Sequence, residues 1–222
     1  MNDLRLAGLD QGALEEVPAY GRRLVEDGLV LGTSGNISIR VEGGYVITPS
    51  TIAYDEITLE DLVLLDDGGT QVDGRGRPSS ETPMHLAVYA TTDAMAVVHT
   101  HSPVAVALST VVDEVPAVHY DIARLGGNTV PVVGYERFGS DALAQRAADA
   151  FAERSAVILR NHGTIACAPD LRQAYYRAQL VEWLAGVYWK AATIGKPAVL
   201  SDTELDEVVT ESKRRRYGAV QP

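Results

Sequence analysis

The chain has 222 residues, enough for one domain with a sizeable core that needs no disulfide or metal to hold it together. Its formal net charge of −11 opposes a nucleic acid or an anionic membrane as partner, and the short basic run at 213–216 reads as a solvated tail end. The single cysteine, Cys167, excludes an intramolecular disulfide, fits a reducing, cytoplasmic setting, and lies in apolar surroundings that read as core.

The first twelve residues hold no apolar stretch of signal-peptide length. Leu14, Val17, Gly21, Leu24, Val25 and Gly28 recur at helical spacing and predict a helix over about 12–30, broken by Gly32 and Gly35. Strands are expected at 36–40 and 45–48 around Gly43-Gly44, and at 62–65 and 70–72 around Asp66-Asp67-Gly68-Gly69; both pairs read as hairpins. A loop at 78–81 runs into a helix over about 81–91, with Ser79 or Ser80 as its cap. The stretch 94–112 carries no charge and is long enough to span a bilayer, but it contains His99, His101 and Pro103. A buried strand at 94–101 followed by a helix from 103 to 109 explains it better. Then come a strand at 129–133, a helix capped by Ser140 and a strand at 156–160. A long apolar helix at 171–193 and a last helix at 205–216 complete the chain. No repeat or low-complexity linker divides it, so one domain over 1–222 is expected. Interleaved strands and helices imply a mixed sheet covered on both faces.

The strongest chemical signal is Val97-Val98-His99-Thr100-His101-Ser102-Pro103. Residues i and i+2 of a strand share a side, so His99 and His101 present two imidazoles together at a strand end. Such a pair can ligate a metal, although His-x-His alone is a weak pattern. His162, in Arg160-Asn161-His162-Gly163, also follows a short apolar strand and strengthens the case. Three imidazoles leave open positions for water or substrate, as catalytic sites do. Glu81 is either a charge suited to a helix N-terminus or a carboxylate that binds the metal or acts as a base. His85, one turn later, either orients Glu81 or covers the surface; His119 reads as structural. The loops holding Thr33, Asn36, Ser50, Thr51, Ser79 and Ser80 are rich in hydroxyl and amide groups. They suit a phosphate, or plain turn chemistry. The three lysines, Lys190, Lys196 and Lys213, lie outside all these motifs, so a metal is a better electron sink than a Schiff base.

Taken together, TSGNIS (33–38), ITPS (47–50), SSETPMH (79–85), AVVHTHSP (96–103), PAVHYDIARLGGN (116–128) and RNHGTIAC (160–167) resemble the class II aldolase/adducin family, in order, from about Leu14 to Lys190. The resemblance implies a single three-layer α/β/α sandwich around a central, mainly antiparallel sheet, with 203–222 as a mobile C-terminal tail. It implies a homotetramer with sites at subunit interfaces. Zinc would be held by His99, His101 and His162, with Glu81 as a resting ligand that then serves as the base. Asn36, Thr33, Ser50, Thr51, Ser79 and Ser80 would hold the substrate phosphate. Tyr120 of a neighbouring subunit would act on the aldehyde oxygen, and Tyr217 matches a tyrosine of the tail. The implied reaction is reversible cleavage of a ketose 1-phosphate, L-fuculose 1-phosphate or a 5-deoxypentulose 1-phosphate, to dihydroxyacetone phosphate and a small aldehyde. Ser50-Thr51 departs from the family's usual Thr-Gly, and Asp121 and Arg124 add charge beside Tyr120. The alternatives within the family are a pentulose-5-phosphate 4-epimerase, which usually has Asp in place of Glu81, and a methylthioribulose-1-phosphate dehydratase. A third is a non-catalytic adducin-like scaffold, which lacks the intact zinc site.

Overall fold

The computed structural model describes residues 4–215. Among them, nine strands form one sheet: β1 (Asn36–Val41), β2 (Gly44–Ile47), β3 (Val63–Asp66), β4 (Gln71–Asp73), β5 (Ala96–Thr100), β6 (Glu114–Pro116), β7 (Thr129–Val133), β8 (Ala156–Leu159) and β9 (Gly163–Ala168). Their spatial order is β4-β3-β2-β1-β5-β9-β8-β7-β6. Neighbours run antiparallel except β7 and β8, which are parallel. The sheet is therefore mainly antiparallel, which corrects the looser mixed sheet drawn from element order alone. Short hairpins account for it, because a tight turn can join only antiparallel neighbours.

Six helices complete the described fold: α1 (Gln11–Glu26), α2 (Thr82–Thr91), α3 (Pro103–Ser109), α4 (Asp141–Ala150), α5 (Leu171–Ile194) and α6 (Asp202–Arg214). The alternation of strand side chains sorts them into two layers. Ala96 and Val98 of β5 join Val17 and Leu24 of α1 and Tyr175 and Val181 of α5 in one core. Val97, pointing the other way, joins Met84 and Val88 of α2 and Leu143 and Ala147 of α4 in the second. Each fully buried aliphatic side chain contributes roughly 1.5–3 kcal/mol, so both faces of the sheet are well anchored.

Several boundaries differ from the sequence reading. α1 starts when the Asp10 side chain accepts from the N–H groups of Gly12 and Ala13, and it ends at Glu26 instead of about 30. Gly28 at φ +68° turns the chain so that Leu29 and Val30 enter the core. The last helix spans Asp202–Arg214, three residues earlier at its start than 205, because Ser201 and Glu204 form a capping box. Neither Ser79 nor Ser80 is the cap of α2; that position is Glu81 itself, whose side chain makes no capping bond. The Ser79 hydroxyl instead accepts from the Glu81 N–H at 3.2 Å. Strands β6 and β9 had no clear sequence signal.

Candidate metal centre

The site forms on the sheet face that α2 covers. β1 and β5 pair so that Asn36 lies opposite His99 and Ser38 opposite Val97. Ile37 and Ile39 point into the core on the far face, so Asn36 and Ser38 must point toward α2 together with His99. His101 follows the end of β5, its N–H bonded to the Leu29 carbonyl at 3.0 Å. Glu182 of α5 accepts from the N–H groups of Val104 and Ala105 at 2.8 and 2.9 Å, fixing the turn that leaves the two histidines. His162 sits in the β8–β9 turn. Asn161 takes the left-handed conformation there (φ +56°), which Asn tolerates better than most residues. Gly163 is needed next, because a Cβ there would lie 2.0 Å from the Thr100 carbonyl oxygen.

These placements bring one ligand atom each from Glu81, His99, His101 and His162 within 4.8 Å of one another. Glu81 Oε2 is 2.8 Å from His99 Nε2, and Glu81 Oε1 is 3.2 Å from His162 Nε2. His99 Nε2 and His101 Nε2 face each other at 3.1 Å. The His99 ring is fully buried, and its Nδ1–H donates to the Thr164 carbonyl at 2.8 Å. That bond commits Nδ1 and turns Nε2 toward the Glu81 carboxylate, where a proton or a metal ion can sit between them. Glu81 Oε1 is buried and accepts no hydrogen bond. Three imidazole nitrogens and one carboxylate with an uncommitted oxygen form a donor set suited to zinc or a similar divalent ion. Burial pushes the Glu81 carboxyl up, but His99 and His162 more than offset it and hold it well below the usual carboxylate range. Burial, then His99 and His162, pushes His101 down to about 4, so its ring is neutral and able to ligate at neutral pH.

A cavity of about 450 Å³ opens over this group. Its walls include Thr33, Asn36, Ser50, Thr51, Ser79 and Ser80, so all six hydroxyl and amide residues singled out in the sequence converge with Glu81, His101 and His162. Sequence reasoning missed Arg77, Asn161 and the aromatic pair Tyr135 and Phe138, which line the same cavity. Arg77 could have been found as the cation next to Pro78-Ser79-Ser80; the aromatic residues lie on a loop with no motif. Thr51 has φ +65°, a conformation that a β-branched residue rarely adopts. His85 is fully buried, which corrects its reading as a possible surface residue. Cys167 is buried in the α2-side core, and burial pushes its thiol up to about 11.

Tyr120 lies elsewhere in the same chain. It opens a 3-10 turn over Tyr120–Leu125, its ring stacked on His119 at 4.3 Å and about half exposed. His119 accepts from the Asp121 N–H and is the cap of that turn. Tyr120, Asp121 and Arg124 line a separate groove against Glu207 and Glu211 of α6. Tyr217 lies outside the described residues.

The sequence matches the model of the "Class II Aldolase and Adducin N-terminal domain" family over residues 15–189. It is 41% identical over 207 residues to a 5-deoxy-D-ribulose 1-phosphate aldolase of Bacillus thuringiensis, covering 92% of this chain and 96% of that one. It is 40% identical over 193 residues to an L-fuculose phosphate aldolase of Escherichia coli, covering 86% and 88%. The fold superposes on a solved L-fuculose 1-phosphate aldolase with a TM-score of 0.88 at 38% identity, covering 92% of this chain and 97% of that chain.

Proposed function

The chain belongs to the class II aldolase and adducin family, and we propose that it is a zinc-dependent enzyme that reversibly cleaves a ketose 1-phosphate to dihydroxyacetone phosphate and a small aldehyde. The observation that carries this reading is the convergence of Glu81, His99, His101 and His162 at the floor of a cavity walled by hydroxyl and amide groups. The three histidines, with Glu81 as resting ligand, would hold zinc, which when bound would supply Lewis acidity for the negative charge on the ketone oxygen. Thr33, Asn36, Ser50, Thr51, Ser79 and Ser80 hold the phosphate through hydroxyl, amide and backbone donors. Arg77 adds a positive charge at the cavity wall. Phosphate held on these walls would present the carbon next to the ketone to Glu81, which lines the same cavity. In the condensation direction Glu81 takes a proton from that carbon, and in the cleavage direction it returns it. The buried carboxylate is already ionised, as a base must be. Tyr120 reaches the aldehyde oxygen from a neighbouring copy of the chain in a homotetramer, and Tyr217 is given a catalytic role by its match to a tyrosine of the family's C-terminal tail. The enzyme works in the cytoplasm; among the described residues no helix is long and apolar enough to cross a membrane.

L-Fuculose 1-phosphate, giving L-lactaldehyde, and 5-deoxyribulose 1-phosphate, giving acetaldehyde, are the two substrates of choice. The test is a cleavage assay on zinc-loaded protein with both substrates and L-ribulose 5-phosphate, with and without chelator. Chelator-sensitive release of dihydroxyacetone phosphate is the expected result. Conversion of the pentulose 5-phosphate to its epimer without that release would move the chain to the epimerase branch of the family. A protein that binds no zinc and turns over none of the three would be a scaffold.

A further inference from the structure

Behind Glu81 runs a buried polar chain whose inner members, Tyr89, Ser38 and His85, have no part in the proposed reaction. The Tyr89 hydroxyl lies 2.8 Å from Ser38 Oγ, and Ser38 Oγ lies 2.7 Å from His85 Nδ1. His85 Nε2 lies 2.5 Å from Asn36 Oδ1. Asn36 Nδ2 in turn lies 3.0 Å from Ser79 Oγ and 3.5 Å from Glu81 Oε2. Asn36, Ser38, His85 and Ser79 are all buried.

The donors in this chain can be assigned from the end next to Glu81. An ionised carboxylate repels a carbonyl oxygen, so Asn36 must turn its N–H edge toward Glu81 and Ser79 and its Oδ1 toward His85. Oδ1 can only accept, so His85 Nε2 carries the ring proton. Nδ1 is then a lone pair, so Ser38 donates to it. The Ser38 oxygen is left to accept from Tyr89. Every member is satisfied, and each bond points one way. Burial holds His85 well below its ordinary value, at about 3, so the ring is neutral and one tautomer persists across the working range.

We infer that His85 is a positioning residue: its Nε2–H pins the Asn36 amide so that the N–H edge faces Glu81 and the cavity. The consequence is one of polarity. With the amide pinned, the N–H that reaches Glu81 Oε2 only at 3.5 Å is the donor Asn36 can turn to a phosphate; reversed, it would offer an acceptor lone pair to an anion. The inference rests on the phosphate role proposed above for Asn36.

The experiment measures binding of inorganic phosphate to the zinc-loaded protein by calorimetry, together with KM, kcat and zinc content. It compares wild type, His85→Leu, His85→Gln and Ser38→Ala. Leucine removes the donor that holds Oδ1 and leaves the amide held only from its N–H edge, by Ser79 and Glu81. Phosphate binding and KM should weaken about tenfold or more, with one zinc per chain retained. Glutamine places an amide N–H near the Nε2 position and should recover most of that loss. Ser38→Ala leaves Asn36 and His85 in place but releases the tautomer, and should weaken phosphate binding about threefold. This milder variant reads the same role if His85→Leu does not fold. Unchanged phosphate binding in a folded His85→Leu protein, or in Ser38→Ala if the leucine variant does not fold, would overturn the inference while leaving the aldolase reading intact. Phosphate binding that follows the predicted order in a protein without cleavage activity would uphold the positioning role and sink the aldolase reading. A wild type that binds no phosphate refutes the role given to Asn36, and this one with it.

Discussion

Glu81 shows how context assigns a role that residue type leaves open. As a carboxylate at a helix start it suited a dipole charge equally well. Only the placement of His99 and His162 within 2.8 and 3.2 Å of its two oxygens distinguishes the cases. Glu81→Gln should keep most bound zinc, measured by metal analysis, and lower kcat by about 10²- to 10⁴-fold, the usual contribution of a general base. His162→Ala should remove zinc and activity together; activity surviving the loss of that imidazole would refute the ligand set. Thr51 is a different kind of residue. Its positive φ was invisible in the sequence, where Ser50-Thr51 read only as a departure from the family's usual Thr-Gly. Thr51→Gly should relieve backbone strain of about 1–2 kcal/mol, less the extra chain entropy glycine loses, for a net gain of up to about 1 kcal/mol in denaturant melts. No gain, or a loss, would mean that the side chain is held by more than its bond to the Ser50 carbonyl. His85 predicts a pH dependence. Its folded value of about 3 lies below the ordinary histidine value near 6.5, so the unfolded chain binds the extra proton first. Stability from this group is full above pH 6.5 and declines as pH falls toward 3, by about 1.4 kcal/mol per unit. His101, at about 4, adds a slope of its own over the same range, so the measurement is the difference: urea melts of the metal-free protein between pH 6.5 and 4 should fall more steeply with pH than those of His85→Gln, by about that amount.

Among the elements, the helices and hairpins were legible because their signals are local. Ser140 was read as a helix cap; Asp10, Asp170 and Ser201 were not, yet each of the four accepts from a backbone N–H of the next turn through a side-chain oxygen and marks a helix start. β9 was not legible. Its residues are buried on both faces, so it shows no alternation, and its alanines carry little strand preference. The site's parts were found as motifs, but their convergence was not, since it depends on β9 lying between β5 and β8. Tyr120 was singled out by resemblance alone, and in one chain it lines a different groove. The β8–β9 turn should be the least tolerant point of the site. Gly163→Ala would force a Cβ onto the Thr100 carbonyl and should cost about 3 kcal/mol, read from thermal or urea melts, with zinc affinity falling too as His162 shifts.

For the whole assembly, the separation of Tyr120 from the metal cavity makes a definite prediction. If a neighbouring copy supplies Tyr120, two crippled chains can repair each other. Glu81→Gln and Tyr120→Phe proteins, each slow alone, should regain activity when unfolded together and refolded as a mixture, to about a quarter of sites under random assembly. No recovery in mixed oligomers would place the complete site within one chain. The sheet carries a further consequence. Asn36, Ser38 and His99 reach the same side only because strand side chains alternate and β1 meets β5 in one register. The chemistry is thus stored as a parity, odd or even, as well as in residue identities. Removing or adding one residue within β1 would send Asn36 and Ser38 into the apolar layer and bring Ile37 and Ile39 out to face the histidines, with almost no change in composition. A two-residue change would restore the parity. For this chain, length changes in β1 are therefore judged by whether they are even, and sequence comparisons that score composition alone would miss the loss.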